Sequence, residues 1–258
     1  MKLNFSKYQG TGNDFIMIDN INGDYDALTI SQIQFLCDRK MGVGADGLIK
    51  ISSHWESDFE VEYYNADGSQ SFCGNGARCS VSFAKSLGLL EDKTSFMAID
   101  GSHVASINDE GIVRLEMLSV ENIISERNDH IIDTGSPHFV RIVKNSDETD
   151  LIEFGKSIRY SDRFKEEGIN VNLLTFTGEN EVKVETYERG VEDETLSCGT
   201  GVTASALVYM MVDPESNCVN VSTKGGTLKV EATKTENGFE NIWLSGPALK
   251  VYDGSIVI

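Results

Sequence analysis

Apolar and polar positions alternate over short runs along most of the chain. "VEYYN" (61–65), "IVRLEM" (112–117), "HIIDTG" (130–135) and "HFVRIV" (138–143) are such runs. "VKVETYE" (182–188), "TLKVEAT" (227–233) and "NIWLSG" (241–246) continue the pattern. All are rich in Val, Ile, Thr and Tyr and bounded by Gly, Asn or Asp, which predicts half-buried strands. Three stretches carry the 3.6-residue period of a helix instead. "TISQIQFLCDRK" (29–40) repeats Ile30, Ile33 and Leu36 or Cys37. Residues 75–87 place Ala77, Val81 and Ala84 on one face, with Gly88 as a stop. "GVTASALVYMMV" (201–212) is apolar almost all round before Pro214, which predicts a helix buried on every side.

Two of these helices begin alike. "SFCGNGARC" (71–79) and "LSCGTGVTA" (196–204) each set Cys-Gly-x-Gly at a helix start, with the cysteines 125 positions apart. Each follows a strand and a polar loop, "VEYYN" in one case and "VETYE" (184–188) in the other. A repeat of that length is a duplicated domain. The expected fold is α+β, with two pseudo-symmetric lobes, each a β-barrel-like sheet wrapped around a central helix. The expected division is 1–117, joined by a returning strand at 246–258, and 118–245.

Composition narrows the function. Of 258 residues, 40% are hydrophobic and 24% charged, an ordinary globular balance. The net charge of −19 argues against nucleic acid or an anionic membrane as partner, since both need clustered Lys and Arg. The opening "MKLNFSKYQGTGNDF" lacks an export signal's apolar segment, and no apolar run is long enough to span a membrane. The five cysteines (37, 73, 79, 198 and 218) are therefore expected to be reduced thiols of a cytoplasmic protein. Zinc is a weak reading of Cys73 and Cys79, because no second ligand pair accompanies them. "GVGADG" (42–47) matches the dinucleotide fingerprint, but a helix precedes it and a strand follows, the reverse of the required order. No nucleotide cofactor is expected.

A cysteine in the first turn of a helix meets unpaired N–H groups and a partial positive charge, which stabilise its thiolate. The neighbouring glycines let the backbone approach a carboxylate or phosphate. Two such thiols suit inversion at one carbon: one removes a proton as thiolate, the other returns a proton to the opposite face. Other readings of the same residues stand beside this one. A helix-start cysteine is often only a small buried hydrophobe, a pair can be a disulfide, and Cys with His138 of "GSPH" would suit a hydrolase.

At these residues the chain resembles the diaminopimelate epimerase family. The resemblance runs through "KYQGTGNDFIMID", "GVGADGL", "YYNADGSQSFCGNGARC", "GSPH", "GINVN" and "YERGVEDETLSCGTGVTA", in that order and over nearly the whole chain. It implies an enzyme without metal or pyridoxal phosphate, interconverting LL- and meso-diaminopimelate on the route to lysine and peptidoglycan, and a homodimer. It implies Cys73 and Cys198 as the acid–base pair. Gly74, Asn75, Gly199 and Thr200 would donate hydrogen bonds to the reacting carboxylate. Asn13 and Glu188 would line the reacting end, and Asn65, Asn170 and Arg189 would grip the distal amino-acid centre. Without the resemblance, Asn13 and Asn65 read as turn residues and Glu188–Arg189 as a surface pair. His138, Cys37, Cys79 and Cys218 read as structural. The chain departs from the family pattern at Ser136, where Asn is frequent, at Gly47, where some members carry Gln, and in a shorter 65–73 loop. Gly47 and Ser136 keep open a two-thiol racemase for another amino acid, and a non-catalytic amino-acid-binding protein stands beside it as an alternative of another class.

Overall fold

The alternating runs become strands because one face of each meets a helix or another strand while the other meets water. The computed structural model describes residues 1–258 and comprises two compact units, Met1–Leu115 with Gly246–Ile258, and Glu116–Ser245. No helix is long and apolar enough to cross a membrane.

In the first unit β1 (Lys2–Gly10) and β2 (Asn13–Asn20) form an antiparallel hairpin. α1 (Ile30–Cys37) starts at a capping box of Thr29 and Gln32 and leads to β3 (Gly47–Ser52), parallel to β2. β4 (Phe59–Asn65) runs antiparallel to β3 and feeds α2 (Gly74–Ser86). β5 (Lys93–Ala98), β6 (Gly101–Ile107) and β7 (Ile112–Met117) continue the sheet, and the last strand, Leu249–Val257, pairs with β1. α2 packs against β1, β2, β3, β4, β6 and the last strand. It is therefore buried well beyond the face that its apolar spacing predicts: Asn75, Arg78 and Ser80 are enclosed too. Such polar side chains must bond inward, and the Ser80 hydroxyl donates to the Gly76 carbonyl at 2.9 Å.

The second unit opens with β8 (Val120–Glu121), β9 (Ile124–Glu126), β10 (Asp129–Asp133) and β11 (Pro137–Val143). α3 (Leu151–Arg159) precedes β12 (Asn170–Gly178), which is parallel to β11. β13 (Glu181–Glu188) and β14 (Asp193–Thr195) lead into α4 (Gly199–Val212). β15 (Cys218–Thr223), β16 (Gly226–Lys234) and β17 (Gly238–Pro247) follow. α4 packs on β10, β11, β12, β13, β15 and β16, and eleven of its residues are buried, as its apolar run predicts.

α3 was not expected. It is capped by Asp150, buries Leu151, and packs Phe154 and Ile158 on the cluster around Phe139 and Tyr187. Its central Gly155 hides the helical signal, since glycine costs a helix about 1 kcal/mol relative to alanine. A Cβ there would lie 2.5 Å from the Tyr187 ring, so close packing on β13 demands it.

The two units repeat one local plan. A parallel pair (β2–β3, β11–β12), an antiparallel partner (β4, β13) and a loop precede each cysteine-capped helix. Phe15, Gly47 and Asn65 lie side by side in the first unit, and His138 lies beside Asn170 in the second.

Candidate active site

Cys73 is the N-cap of α2, with extended backbone (φ −134°, ψ 113°). Its Sγ accepts from the Gly76 N–H at 3.4 Å and lies 3.6 Å from Asn13 Oδ1, toward which the thiol donates. Asn13 reaches this place because the Thr11-Gly12 turn holds both residues at positive φ, 50° and 87°. Its amide is fixed at both ends. Nδ2 donates to Asp46 Oδ2 at 2.7 Å, and Oδ1 accepts from Asn75 Nδ2 at 3.2 Å.

A charged cluster sits behind Asn13. Arg39 bonds Asp46 at 2.6 Å and holds Asp14 with both nitrogens at 3.1 and 2.6 Å, and Lys7 contacts Asp14 at 2.7 Å. Burial opposes ionisation of Asp14, but the Arg39 and Lys7 hydrogen bonds and charges outweigh it and hold the carboxyl at about 2. Asp46, bound by Arg39 through Oδ1, accepts from the Asn13 amide through Oδ2.

Asn65 closes β4 and is tied into its own loop. Its Nδ2 donates to Ser69 and Ser71 hydroxyls at 3.0 and 3.2 Å, and its Oδ1 accepts from the Tyr63 hydroxyl at 2.7 Å. A Cβ at Gly47 would lie 2.4 Å from the Tyr63 ring and 2.6 Å from the Tyr64 carbonyl oxygen. The missing side chain at position 47 thus makes room for the tyrosine that orients Asn65.

In the second unit Cys198 is the N-cap of α4, with φ −116° and ψ 112°, and is 9% exposed. Thr200 Oγ1 lies 3.4 Å from its Sγ. A directional relay stands behind the threonine. The Thr186 hydroxyl donates to Asn172 Oδ1 at 2.9 Å, and Asn172 Nδ2 donates to the Phe139 carbonyl and His138 Nδ1, both at 3.1 Å. With Nδ1 accepting, the neutral ring carries its proton on Nε2 and donates to Thr200 Oγ1 at 2.9 Å. The threonine proton is left for Cys198. Burial, with the Arg189 charge adding to it, pushes His138 down to about 3, so the ring stays neutral. Gly201 is obligatory here, because a Cβ would lie 2.5 Å from Asn172 Oδ1.

Asn170 is buried and doubly held. Nδ2 donates to Ser136 Oγ at 2.9 Å and to the Pro137 carbonyl at 3.2 Å, and Oδ1 accepts from the Arg189 backbone N–H at 2.9 Å. The Arg189 guanidinium donates to the Glu167 carbonyl at 2.9 Å and crosses Gly168, where a Cβ would lie 2.5 Å from its Cδ. Glu188, half-buried, ends β13 immediately before it.

The first unit therefore gathers Cys73, Gly74, Asn75 and Asn13, with Asn65 bound into the preceding loop. The second gathers Cys198, Gly199 and Thr200, with Asn170 joined to Arg189. Sequence reasoning left His138 as structural and overlooked Asp46, Tyr63 and Asn172. The motif "GSPH" was the visible signal for His138. The other three act only through contacts distant in sequence. Cys37 and Cys79 are packed thiols, pushed up to about 11 and about 12 by burial. No group of three or more His, Cys, Asp or Glu side chains converges as a metal site would require.

The family model described as diaminopimelate epimerase matches residues 5–121 and 130–251. A diaminopimelate epimerase of Flavobacterium psychrophilum is 46% identical over 97% of this chain and 98% of that protein. That of Chlorobaculum tepidum is 40% identical over 96% and 99%. Among solved structures, a phenazine biosynthesis protein of the PhzF family from Bacillus anthracis superposes with TM-score 0.78 at 15% identity, covering both chains fully. A hydroxyproline epimerase of Agrobacterium vitis does so with TM-score 0.70 at 12% identity, over 99% and 92% of the two chains. At those identities the likeness is one of fold.

Proposed function

Since the chain belongs to the diaminopimelate epimerase family, we propose that it inverts its substrate with Cys73 and Cys198 as a two-thiol acid–base pair. The activity is that of the family, the interconversion of LL- and meso-2,6-diaminopimelate, an isomerase reaction. The observation that supports the thiol pair is the same N-cap cysteine arrangement built twice into one chain of an inverting family.

The chemistry follows from those positions. One cysteine, as thiolate, takes the α-proton, and the C–H electron pair moves toward the carboxylate as an enediolate-like charge. The backbone N–H groups of Gly74 and Asn75, and of Gly199 and Thr200, belong to helix first turns, which lack intrahelical acceptors and favour that charge. The other cysteine, as thiol, then delivers its proton to the opposite face of the carbon. Each turnover leaves the two sulfurs with exchanged protonation states, so the same pair serves the reverse reaction. The cycle uses no cofactor.

The remaining assignments are made on the same basis. Asn13 and Glu188 line the reacting end, with Glu188 taking the ammonium. Asn65, Asn170 and Arg189 hold the distal centre, where a guanidinium pairs with a carboxylate in two-point fashion. We assign the protein to the cytoplasm and to a homodimer, which light scattering on the purified protein tests.

The deciding experiment is proton NMR of LL-diaminopimelate in D₂O with reduced enzyme. Loss of the α-proton signal with appearance of the meso form is expected, and Cys73→Ala or Cys198→Ala lowers inversion at least about hundredfold. Inversion at the wild-type rate in either variant would refute the two-thiol assignment.

A further inference from the structure

The hairpin from β13 to β14 ends its first strand at Glu188 and carries Arg189, Gly190, Val191 and Glu192 as its loop. The Glu192 N–H donates to the Glu188 carbonyl at 2.8 Å and closes that loop. Glu192 has φ 58°, in the left-handed region that favours glycine over a residue with a Cβ. A side chain held at such a position needs contacts that offset the backbone strain.

Glu192 makes four of them. Oε2 accepts from the Tyr160 and Tyr187 hydroxyls, each at 3.0 Å. Oε1 accepts from the Gly190 N–H at 3.2 Å and lies 3.3 Å from Arg159 Nε. The donors come from three places: the loop itself, the buried ring of Tyr187 on β13, and the C-terminal end of α3, where Arg159 and Tyr160 stand. Burial opposes ionisation of Glu192, but the hydrogen bonds from Gly190, Tyr187 and Tyr160 and the Arg159 charge outweigh it and hold the carboxyl below its ordinary value. An ionised carboxylate suits this place because both of its oxygens accept and neither donates.

The same contacts bear on Arg189. Gly168, at φ 77°, is wedged between two arginines: a Cβ there would lie 2.5 Å from Arg189 Cδ and 2.9 Å from Arg159 Cζ. Arg159, paired with Glu192, therefore backs the turn that the Arg189 side chain crosses on its way to the Glu167 carbonyl. The Arg189 backbone N–H is fixed on Asn170 Oδ1 at 2.9 Å. Asn170 thus holds the start of the loop, and Glu192 ties its far end to α3 and Tyr187.

We propose that Glu192 is a positioning residue for substrate binding, whose carboxylate fixes the 189–192 loop against α3 and Tyr187 and so aims the Arg189 guanidinium at the distal carboxylate. The proposal rests on the assignment of Arg189 to the distal centre made above. A guanidinium ordered before the substrate arrives loses less freedom on binding, so the effect belongs in KM.

The test is steady-state kinetics with LL-diaminopimelate on a double-mutant cycle of Glu192 and Arg189. Glu192→Gly, which suits the backbone and removes the carboxylate, is expected to raise KM about tenfold and to change kcat less than about threefold. Glu192→Gln keeps the shape but sets an NH₂ against a donor, and is expected to raise KM about threefold; it carries the test if the glycine variant does not fold. In the Arg189→Ala background either change should alter KM less than about twofold, because its target is gone. An unchanged KM in both folded variants, a fall in kcat alone, or the full increase in KM in the Arg189→Ala background overturns the proposal. Hydrogen–deuterium exchange of the 188–193 peptide judges the loop without any substrate: exchange is expected to quicken at least about tenfold in Glu192→Gly, and an unchanged rate overturns the proposal. An Arg189→Ala variant with wild-type KM would defeat the distal-centre assignment instead, while the exchange result still judges what Glu192 does to the loop.

Discussion

The amide oxygen of Asn13 faces the Cys73 sulfur at 3.6 Å, and Asn13 cannot turn away because its amide nitrogen is bound to Asp46 at 2.7 Å. A flipped amide would set its NH₂ against the Asn75 NH₂ and leave Asp46 facing an oxygen. The aspartate, itself held by Arg39, thus decides which atom the thiol meets.

Asp46→Ala should therefore free the Asn13 amide and lower kcat/KM by about tenfold, near 1.4 kcal/mol of transition-state stabilisation. Steady-state kinetics with melting curves checks this. An unchanged kcat/KM at unchanged melting temperature would show that the orientation of Asn13 is irrelevant.

Tyr63→Phe removes only the hydroxyl that bonds Asn65 at 2.7 Å. KM should rise about threefold to tenfold with kcat nearly constant, as for a lost hydrogen bond of about 1 kcal/mol in binding. Gly47→Ala should instead destabilise the fold by about 1–3 kcal/mol, since its methyl meets the Tyr63 ring. Urea unfolding reads that loss.

His138 makes stability depend on pH. The buried ring stays neutral down to about 3, whereas in the unfolded chain it takes up a proton near 6.5. Below that higher value the unfolded state binds more protons. Its contribution is complete above pH 6.5 and falls by at most about 1.4 kcal/mol per pH unit on the way down to about 3. His138→Gln should flatten the urea midpoint between pH 6.5 and 4.5, the interval to measure.

Asp14 acts lower on the scale. Its carboxyl is held at about 2, so its contribution is present above the ordinary carboxylate value of 3.8 and lost as pH falls toward 2. Asp14→Asn should lower the urea midpoint at pH 6, and by clearly less at pH 2.5, where the contribution is only partly lost.

Native alkylation at pH 8 should spare Cys37 and Cys79, whose burial pushes them to about 11 and about 12. Intact-mass spectra before and after unfolding should show both thiols reacting only once the chain is opened. Their modification at the rate of Cys73 in folded protein would contradict the packing described.

Much of this molecule was legible along the chain itself. Period-two runs mark strands because a strand in a one-sided sheet buries alternate residues. α4 is legible because a helix surrounded by protein needs no polar face, and both cysteines because Cys-Gly-x-Gly is a local signal for a helix start. What tertiary structure alone decided is which polar groups meet. α3 is hidden by Gly155, whose reason is Tyr187, 32 residues away. Asp46 serves Asn13 from 33 residues off, Thr186 reaches His138 through Asn172, and Arg78 closes on Thr11 across 67 positions. A periodic pattern reports whether a position is wet or dry. The partner of a dry polar group is set by packing and register, which no local pattern carries.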